Sequence, residues 1–464
     1  MEVQLFGAAK EVTGSCYSLT TKDHKKILID CGMFQGHKDK VKENYDDFGF
    51  DPSEYSALLL THAHLDHCGR IPKLVKEGFK GKIYAIDAAK DLALVIMLDA
   101  AKVAAEDTAH KNWLRKQEGL PPRKPIYDEH DVLKTMKYFV SVNYDKEVMI
   151  NKNITAKFYD AGHILGASSI QLKITEGDKT SFVVFSGDIG QENAVLVKNI
   201  EPITKADYVF IESTYGDRRH PPIEDRKKEF IRIVNEAYKR GGKLMIPSFT
   251  VERAQELLFY LGEFMEDGLI PRMKVYLDSP MAIKATEIFE KYKPYYNSKV
   301  EQCMKRRADP FKFPELILTS TVEESKAINS EKGPFIIIAG NGMCSAGRIK
   351  QHIKMNIGDK KNTLMFIGYQ AEGTLGYWIK KGEKQAILLG TKIDVNAKIE
   401  FIEGFSAHAD YTDLIRWLDN YDPKPKKVFI CHGEEEQSMA FSERISKSGF
   451  DTYVPSQREK LELD

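Results

Sequence analysis

Thr61-His62-Ala63-His64-Leu65-Asp66-His67-Cys68-Gly69 places three histidines and a carboxylate within six consecutive residues. Ala57-Leu58-Leu59-Leu60 precedes it, an apolar run short enough for a buried strand, and Gly69-Arg70-Ile71-Pro72 follows, reading as the opening of a helix with proline near its first turn. These side chains therefore sit on a strand-to-helix connection, where a rigid scaffold can aim them at one point. In extended backbone His62 and His64 project to the same side. Asp66 and His67 lie beyond the bend and can face a second point nearby. Imidazole and carboxylate at this density suit zinc or another divalent cation of similar preference. With 12 histidines in 464 residues, a chance grouping of surface histidines is the poorer explanation, and the pattern predicts a two-metal site.

Working outward, a chain of 464 residues predicts two domains, and 42% hydrophobic content supports sizeable cores. The 68 basic and 68 acidic residues cancel, so any attraction to nucleic-acid phosphates must be local. Met1-Glu2-Val3-Gln4-Leu5 shows no basic segment ahead of an apolar run, and no run approaches the length of a membrane span. A cytoplasmic protein without membrane association is expected. Six cysteines (16, 31, 68, 303, 344 and 431), none in Cys-x-x-Cys spacing, fit reduced thiols. Cys31, Cys68 and Cys431 adjoin the candidate site residues and read as small buried hydrophobes rather than ligands.

Further candidates recur at strand ends. Ile27-Leu28-Ile29-Asp30 ends in a carboxylate that needs a partner, and the N–H of a metal-bound imidazole is an obvious one. Residues 87–112 have helical periodicity, and three prolines between 119 and 125 break it. His130, among acidic neighbours, reads as part of a solvated helix start. His163 stands in the glycine-flanked turn Gly162-His163-Ile164-Leu165-Gly166, and beside the upstream cluster it reads as a ligand. Asp188 ends Ser181-Phe182-Val183-Val184-Phe185-Ser186-Gly187-Asp188 and is the natural carboxylate to bridge two cations. Glu212 ends Tyr208-Val209-Phe210-Ile211-Glu212. Beyond it strands and helices alternate, which predicts a βαβ domain with a mainly parallel sheet and ligands beyond the carboxyl ends of its strands. Three loops fall there: residues 247–250, 278–280 and 340–348, the last a glycine-rich turn into a helix carrying Arg348, an anion site in principle. At the end of the chain, Ala397–Ile402, the turn 404–410 and Lys427–Glu434 restore the earlier strand pattern. The βαβ domain thus reads as an insertion in a discontinuous β-rich domain.

Glu212-Ser213-Thr214-Tyr215-Gly216, Phe405-Ser406-Ala407-His408-Ala409-Asp410 and Cys431-His432-Gly433-Glu434, together with the His62–His67 cluster, resemble the β-CASP branch of the metallo-β-lactamase superfamily, whose members process nucleic acids. Leu28–Gly36, Ile246-Pro247-Ser248-Phe249 with Arg253–Glu256, and Ile367–Leu375 extend the resemblance along nearly the whole chain. It implies an α/β fold: an αββα metallo-β-lactamase sandwich from residues 1–212 and 389–464, with an inserted βαβ (β-CASP) domain at 213–388. It implies two zinc ions per chain, one on His62, His64 and His163, the other on Asp66, His67 and His432, bridged by Asp188. Asp66, Glu212 and His408 are the implied catalytic residues, with His408 protonating the leaving oxygen. Ser248, Arg253, Ser345, Arg348 and Tyr369 are the candidate substrate contacts. His432 occupies a position that is His in RNA-processing members and apolar in DNA-processing ones. The expectation is therefore a zinc-dependent ribonuclease that cuts single-stranded RNA endonucleolytically in RNA processing or decay, and a homodimer is compatible with it. A small-molecule hydrolase of the same fold and a DNA nuclease are the alternatives.

Overall fold

The computed structural model describes residues 1–464 apart from Ser345, Tyr369, Ala371, Glu372 and Leu389. The chain divides into two compact units, Met1–Arg219 with His408–Asp464, and His220–Ala407. Among the described residues no helix is long and apolar enough to cross a membrane.

Two seven-stranded sheets form the first unit. One runs, edge to edge, through Lys460–Glu462, Glu2–Leu5, Tyr17–Thr20, Lys26–Ile29, Tyr55–Leu59, Lys82–Ile86 and Phe139–Val142. Its last four strands are parallel, so their carboxyl ends share an edge. The other runs through Thr452–Tyr453, Lys427–Cys431, Tyr208–Glu212, Lys179–Phe185, Ser168–Glu176, Ile154–Asp160 and Glu147–Asn151. Here Lys179–Phe185, Tyr208–Glu212 and Lys427–Cys431 are parallel. Side-chain alternation assigns the two faces of these strands. Phe185, Phe210 and Phe429 stack in a row, with centroids 4.8 and 4.6 Å apart, and meet Tyr17 of the first sheet at 5.5 Å from Phe185. Each such ring pair contributes about 0.5–1.5 kcal/mol beyond its burial. The intervening Val209, Ile211, Val428 and Ile430 pack outward on Leu414, Trp417, Phe441 and Ile445 of the helices Tyr411–Leu418 and Glu435–Lys447. On the first sheet the helix Asp87–Gln117 covers Lys82–Ile86 and Phe139–Val142. The expected αββα layering is present.

The second unit is built on a six-stranded, wholly parallel sheet in the order Leu316–Leu318, Val275–Asp278, Phe335–Gly340, Lys243–Ser248, Thr363–Phe366, Lys398–Phe401. Parallel strands are buried on both faces, which is why Phe335-Ile336-Ile337-Ile338-Ala339 is continuously apolar. One strand lies elsewhere than its sequence suggests. Lys398–Phe401 does not rejoin the β-rich unit; it pairs in parallel with Thr363–Phe366, and the return to the first unit comes at His408. Apolar alternation marks a strand, but pairing partners such as Lys398 N–H to the Asn362 carbonyl (2.9 Å) decide its sheet.

Candidate metal centre

Six site elements lie at or just beyond the carboxyl ends of strands at one edge of the two sheets: Asp30, the segment His62–His67, His163, Asp188, Glu212 and His432. Asp30 takes a left-handed conformation (φ 57°) at the end of its strand, a position that non-glycine residues rarely adopt. One of its oxygens accepts from the Thr61 N–H at 2.7 Å; the other accepts from the Thr61 hydroxyl at 2.8 Å and His67 Nδ1 at 2.7 Å. That fixes the His67 tautomer and turns its Nε2 lone pair toward the centre. The backbone is packed to match. A Cβ on Gly32 would lie 1.5 Å from the Asp66 carbonyl oxygen, so only glycine lets the Asp30 loop pass beneath the Asp66 turn.

Two ligand-bearing groups result. His62, His64, His163 and Asp188 offer atoms within 4.8 Å of one another, and so do Asp66, His67 and His432. Asp188 lies between them. Its Oδ2 is 3.3 Å from His62 Nε2 and 3.5 Å from His163 Nε2; its Oδ1 is 3.2 Å from His67 Nε2 and 3.4 Å from His432 Nδ1. Both carboxylate oxygens are buried and neither has a hydrogen-bond partner. His64 Nδ1 lies 3.1 Å from His62 Nε2 and 3.2 Å from His163 Nε2. Nitrogen lone pairs this close repel unless a proton or a cation lies among them. Burial pushes His62 down to about 3 and His64 to about 4, and holds His163 well below its ordinary value, so these three imidazoles are neutral, the form that binds metals. Burial alone would raise the Asp188 carboxyl, but His432 and then His67 outweigh it and hold the group well below the usual carboxylate range. Buried carboxylate oxygens without a hydrogen bond, each facing two imidazole nitrogens, fit a pair of divalent cations.

A third group is Asp188, Glu212 and His408. The Gly190–His408 bridge and the Ala409 N–H to Ile189 carbonyl bond (2.7 Å) hold His408 beside the Asp188 turn. His408 Nδ1 sits 3.1 and 3.2 Å from the two Glu212 oxygens, and Glu212 also accepts the Ile189 N–H at 2.6 Å. Burial would lower His408, but Glu212 and then Asp188 outweigh it and hold its pKa up at about 9. His432, also left-handed (φ 46°), is pinned by its N–H to the Ala8 carbonyl at 2.8 Å.

The structure thus brings His62, His64, Asp66, His67, His163, Asp188, Glu212, His408 and His432 together. The candidate substrate contacts fare differently. Ser248 ends the central strand Lys243–Ser248, buried, with its hydroxyl donating to the Phe249 carbonyl at 2.8 Å. Arg253 is buried and paired with Glu256. Arg348 donates to Asp278 at 2.7 Å and to the Thr319 and Ser320 carbonyls at 3.0 and 2.7 Å. Both guanidinium groups are thus engaged in the framework of the unit, a role a charged residue next to a glycine-rich turn does not announce. Ser345 and Tyr369 lie outside the described residues. His130 is exposed, on the helix Glu129–Thr135, whose first turn is held by the reciprocal capping of Asp128 and Asp131. Cys31, Cys68 and Cys431 are buried thiols, Cys68 donating to the Ala63 carbonyl at 3.3 Å. Two supporting residues escape a sequence reading. Thr61 looks like a turn residue but its hydroxyl and N–H orient Asp30. Arg70 looks like a solvated helix start, yet it is buried, bonds the Gly32 and Gly14 carbonyls, and lies 4.5 Å over the Phe34 ring.

Comparison with known sequences agrees with this geometry. The metallo-beta-lactamase superfamily matches residues 9–133, the Beta-Casp domain residues 254–379, and the Zn-dependent metallo-hydrolase RNA specificity domain residues 392–455. Ribonuclease TTHA0252 of Thermus thermophilus is 35% identical, over 97% of this chain and 97% of its own length. Transcription termination factor FttA of Methanocaldococcus jannaschii is 34% identical over 98% of this chain and 70% of its own, and an RNase J-like protein of the same organism is 33% identical over 98% and 97%. Likeness that runs along nearly the whole chain, through both units and the paired histidine groups, makes this protein a member of the β-CASP family of the metallo-β-lactamase superfamily, a family of metal-dependent hydrolases.

Proposed function

We propose that this protein is a zinc-dependent ribonuclease that hydrolyses phosphodiester bonds within single-stranded RNA at a two-cation centre. The observation that carries the reading is Asp188, a buried carboxylate without a hydrogen bond, with one imidazole set facing each oxygen. In the proposed assignment His62, His64 and His163 hold one zinc, Asp66, His67 and His432 the other, and Asp188 bridges. Two such cations, when bound, polarise a phosphoryl oxygen and make water a nucleophile near neutral pH. The remaining steps belong to the chain. Asp66 orients the attacking water. Glu212 accepts from His408 Nδ1 and keeps the ring protonated, which leaves Nε2–H to protonate the leaving oxygen. The products are a 5′-phosphate and a 3′-hydroxyl.

The names of the relatives support RNA as the substrate, and His432 at the third family position supports it over DNA. Met1–Arg219 with His408–Asp464 is read as the metallo-β-lactamase domain, with the β-CASP domain inserted between. Ser248, at the carboxyl end of a central parallel strand, is retained as a substrate contact, whereas Arg253 and Arg348 are assigned to shaping its surroundings. Six unpaired cysteines support a cytoplasmic setting. A homodimer is part of the reading, checked by sedimentation. The test is parallel incubation of the zinc-loaded protein with circular single-stranded RNA, circular single-stranded DNA and a chromogenic lactam. Linearisation of the RNA alone is expected. Turnover of the lactam alone would favour a small-molecule hydrolase, and preference for DNA would overturn the RNA assignment.

A further inference from the structure

The helix Asp87–Gln117 is far longer than the sheet it covers: 31 residues, about 46 Å. Its first half buries Ala88, Ala89, Leu92, Ala93, Ile96, Met97 and Ala101, but from Lys102 to Gln117 only Thr108 is buried. Helices usually owe their stability to packing of an apolar face. The outer half is held differently. Asn112 donates to the Arg123 carbonyl at 2.9 Å and accepts the Arg123 N–H at 2.8 Å, and Arg115 Nε donates to the Pro121 carbonyl at 2.8 Å. Pro121, Pro122 and Pro125 stiffen the returning segment. The result is a built arm with no core of its own.

We propose that this arm is a docking surface for single-stranded RNA, separate from the metal centre; the proposal rests on the ribonuclease reading. Trp113 is 60% exposed, and the His110 ring, three residues earlier on the same face, lies nearly parallel to it at 6.4 Å and 17°. Residues 110–125 contain five basic side chains and one acidic, in a chain whose formal charge is zero. Lys111 is paired with Asp107 at 2.6 Å; Lys116 stands three residues after Trp113 on the helix, and Arg123 and Lys124 belong to the returning segment that Asn112 ties to the helix beside Trp113. An exposed aromatic face on an arm rich in cations is what a nucleic-acid strand needs: bases stack on the ring and phosphates meet the charges. A second copy of this chain fits less well, because a symmetric contact sets a patch against itself and would oppose like charges.

The test measures binding of a labelled 30-nucleotide single-stranded RNA to the zinc-loaded full-length protein carrying His408→Ala to block cutting. Adding Trp113→Ala should weaken binding by about 5- to 150-fold, the range for loss of a stacked base. Adding Lys116→Glu, Arg123→Glu and Lys124→Glu instead should reduce the slope of log affinity against log salt by about 2, the value for three lost phosphate contacts on a single strand. In the His408-intact protein, Trp113→Ala should leave turnover of a chromogenic phosphodiester unchanged. Unchanged RNA affinity in both variants would overturn the proposal. Loss in the charge variant alone would remove the stacking role. Self-association that Trp113→Ala abolishes would make the arm a protein contact. An inactive wild-type protein that still binds RNA through the arm would refute the ribonuclease reading and spare this one.

Discussion

His408 and His432 are both imidazoles close to Asp188, yet their neighbours give them different work. His432 faces Asp66 at 3.6 Å and His67 at 3.1 Å; His408 is backed by Glu212 and is 20% exposed. His408→Ala should therefore keep both zinc ions and lower turnover on RNA by on the order of 10²–10⁴-fold, as for a lost general acid. A diester with a low-pKa leaving group should restore most of that rate. His432→Ala should lose metal instead. Equal loss on both substrates, or loss of zinc from His408→Ala, would exclude the acid role. Behind the centre, Thr61→Val removes a hydroxyl that bonds Asp30, and zinc affinity should fall about 10- to 100-fold, the usual effect of removing a ligand's supporting partner; competition with a fluorescent chelator reads this. These roles differ in how well the sequence shows them. The metal-binding positions are legible because imidazoles and carboxylates are scarce enough that their density carries information. Thr61 and Arg70 are not, since threonine after a strand and arginine before a helix are ordinary, and only the folded contacts distinguish them.

Among the elements, the strand ends of the parallel sheets are legible from apolar runs closed by a polar residue, and the helix Asp87–Gln117 from the periodicity of residues 87–112. Pairing is not, and so the edge strand Lys398–Phe401 reads from sequence as part of the wrong sheet. The loop after Val275–Asp278, one of three candidate ligand positions beyond the strand ends, carries a buried polar cluster. Asp278 accepts from His352 Nε2 at 2.6 Å, Ser325 at 2.6 Å, Thr319 at 2.8 Å and Arg348 at 2.7 Å. Burial would raise the Asp278 carboxyl, but the His352 bond first, then Ser325, Thr319 and Arg348, outweigh it and hold it at about 2. Its folded value lies below its unfolded one, so its contribution is complete above pH about 4 and is lost as pH falls through about 2. Asp278→Asn should destabilise the protein near neutrality and flatten the acid limb of its stability curve. Denaturant melts at pH 6, 4 and 3 check this, and identical pH dependence in the two proteins would remove the cluster's assigned role.

At the scale of the molecule, the chain leaves its first unit after Arg219 and returns at His408, and it closes the centre only with the strand Lys427–Cys431 and His432. The centre therefore depends on contacts between the beginning, middle and end of the sequence. If cations hold those segments together, they bind the folded state and not the unfolded chain, and stability must rise with free zinc by RT ln(1 + [L]/Kd). Chelation should lower the melting temperature of the wild-type protein and hardly alter that of Asp188→Ala. The most direct measurement is zinc per chain, by elemental analysis of carefully exchanged wild-type and Asp188→Ala protein, with RNA cleavage assayed on the same samples. Two ions in the wild type, and loss of zinc and cleavage together in Asp188→Ala, is the predicted result. One ion or none in a wild-type sample that cleaves RNA fully, or an Asp188→Ala protein that retains both zinc and activity, would contradict it.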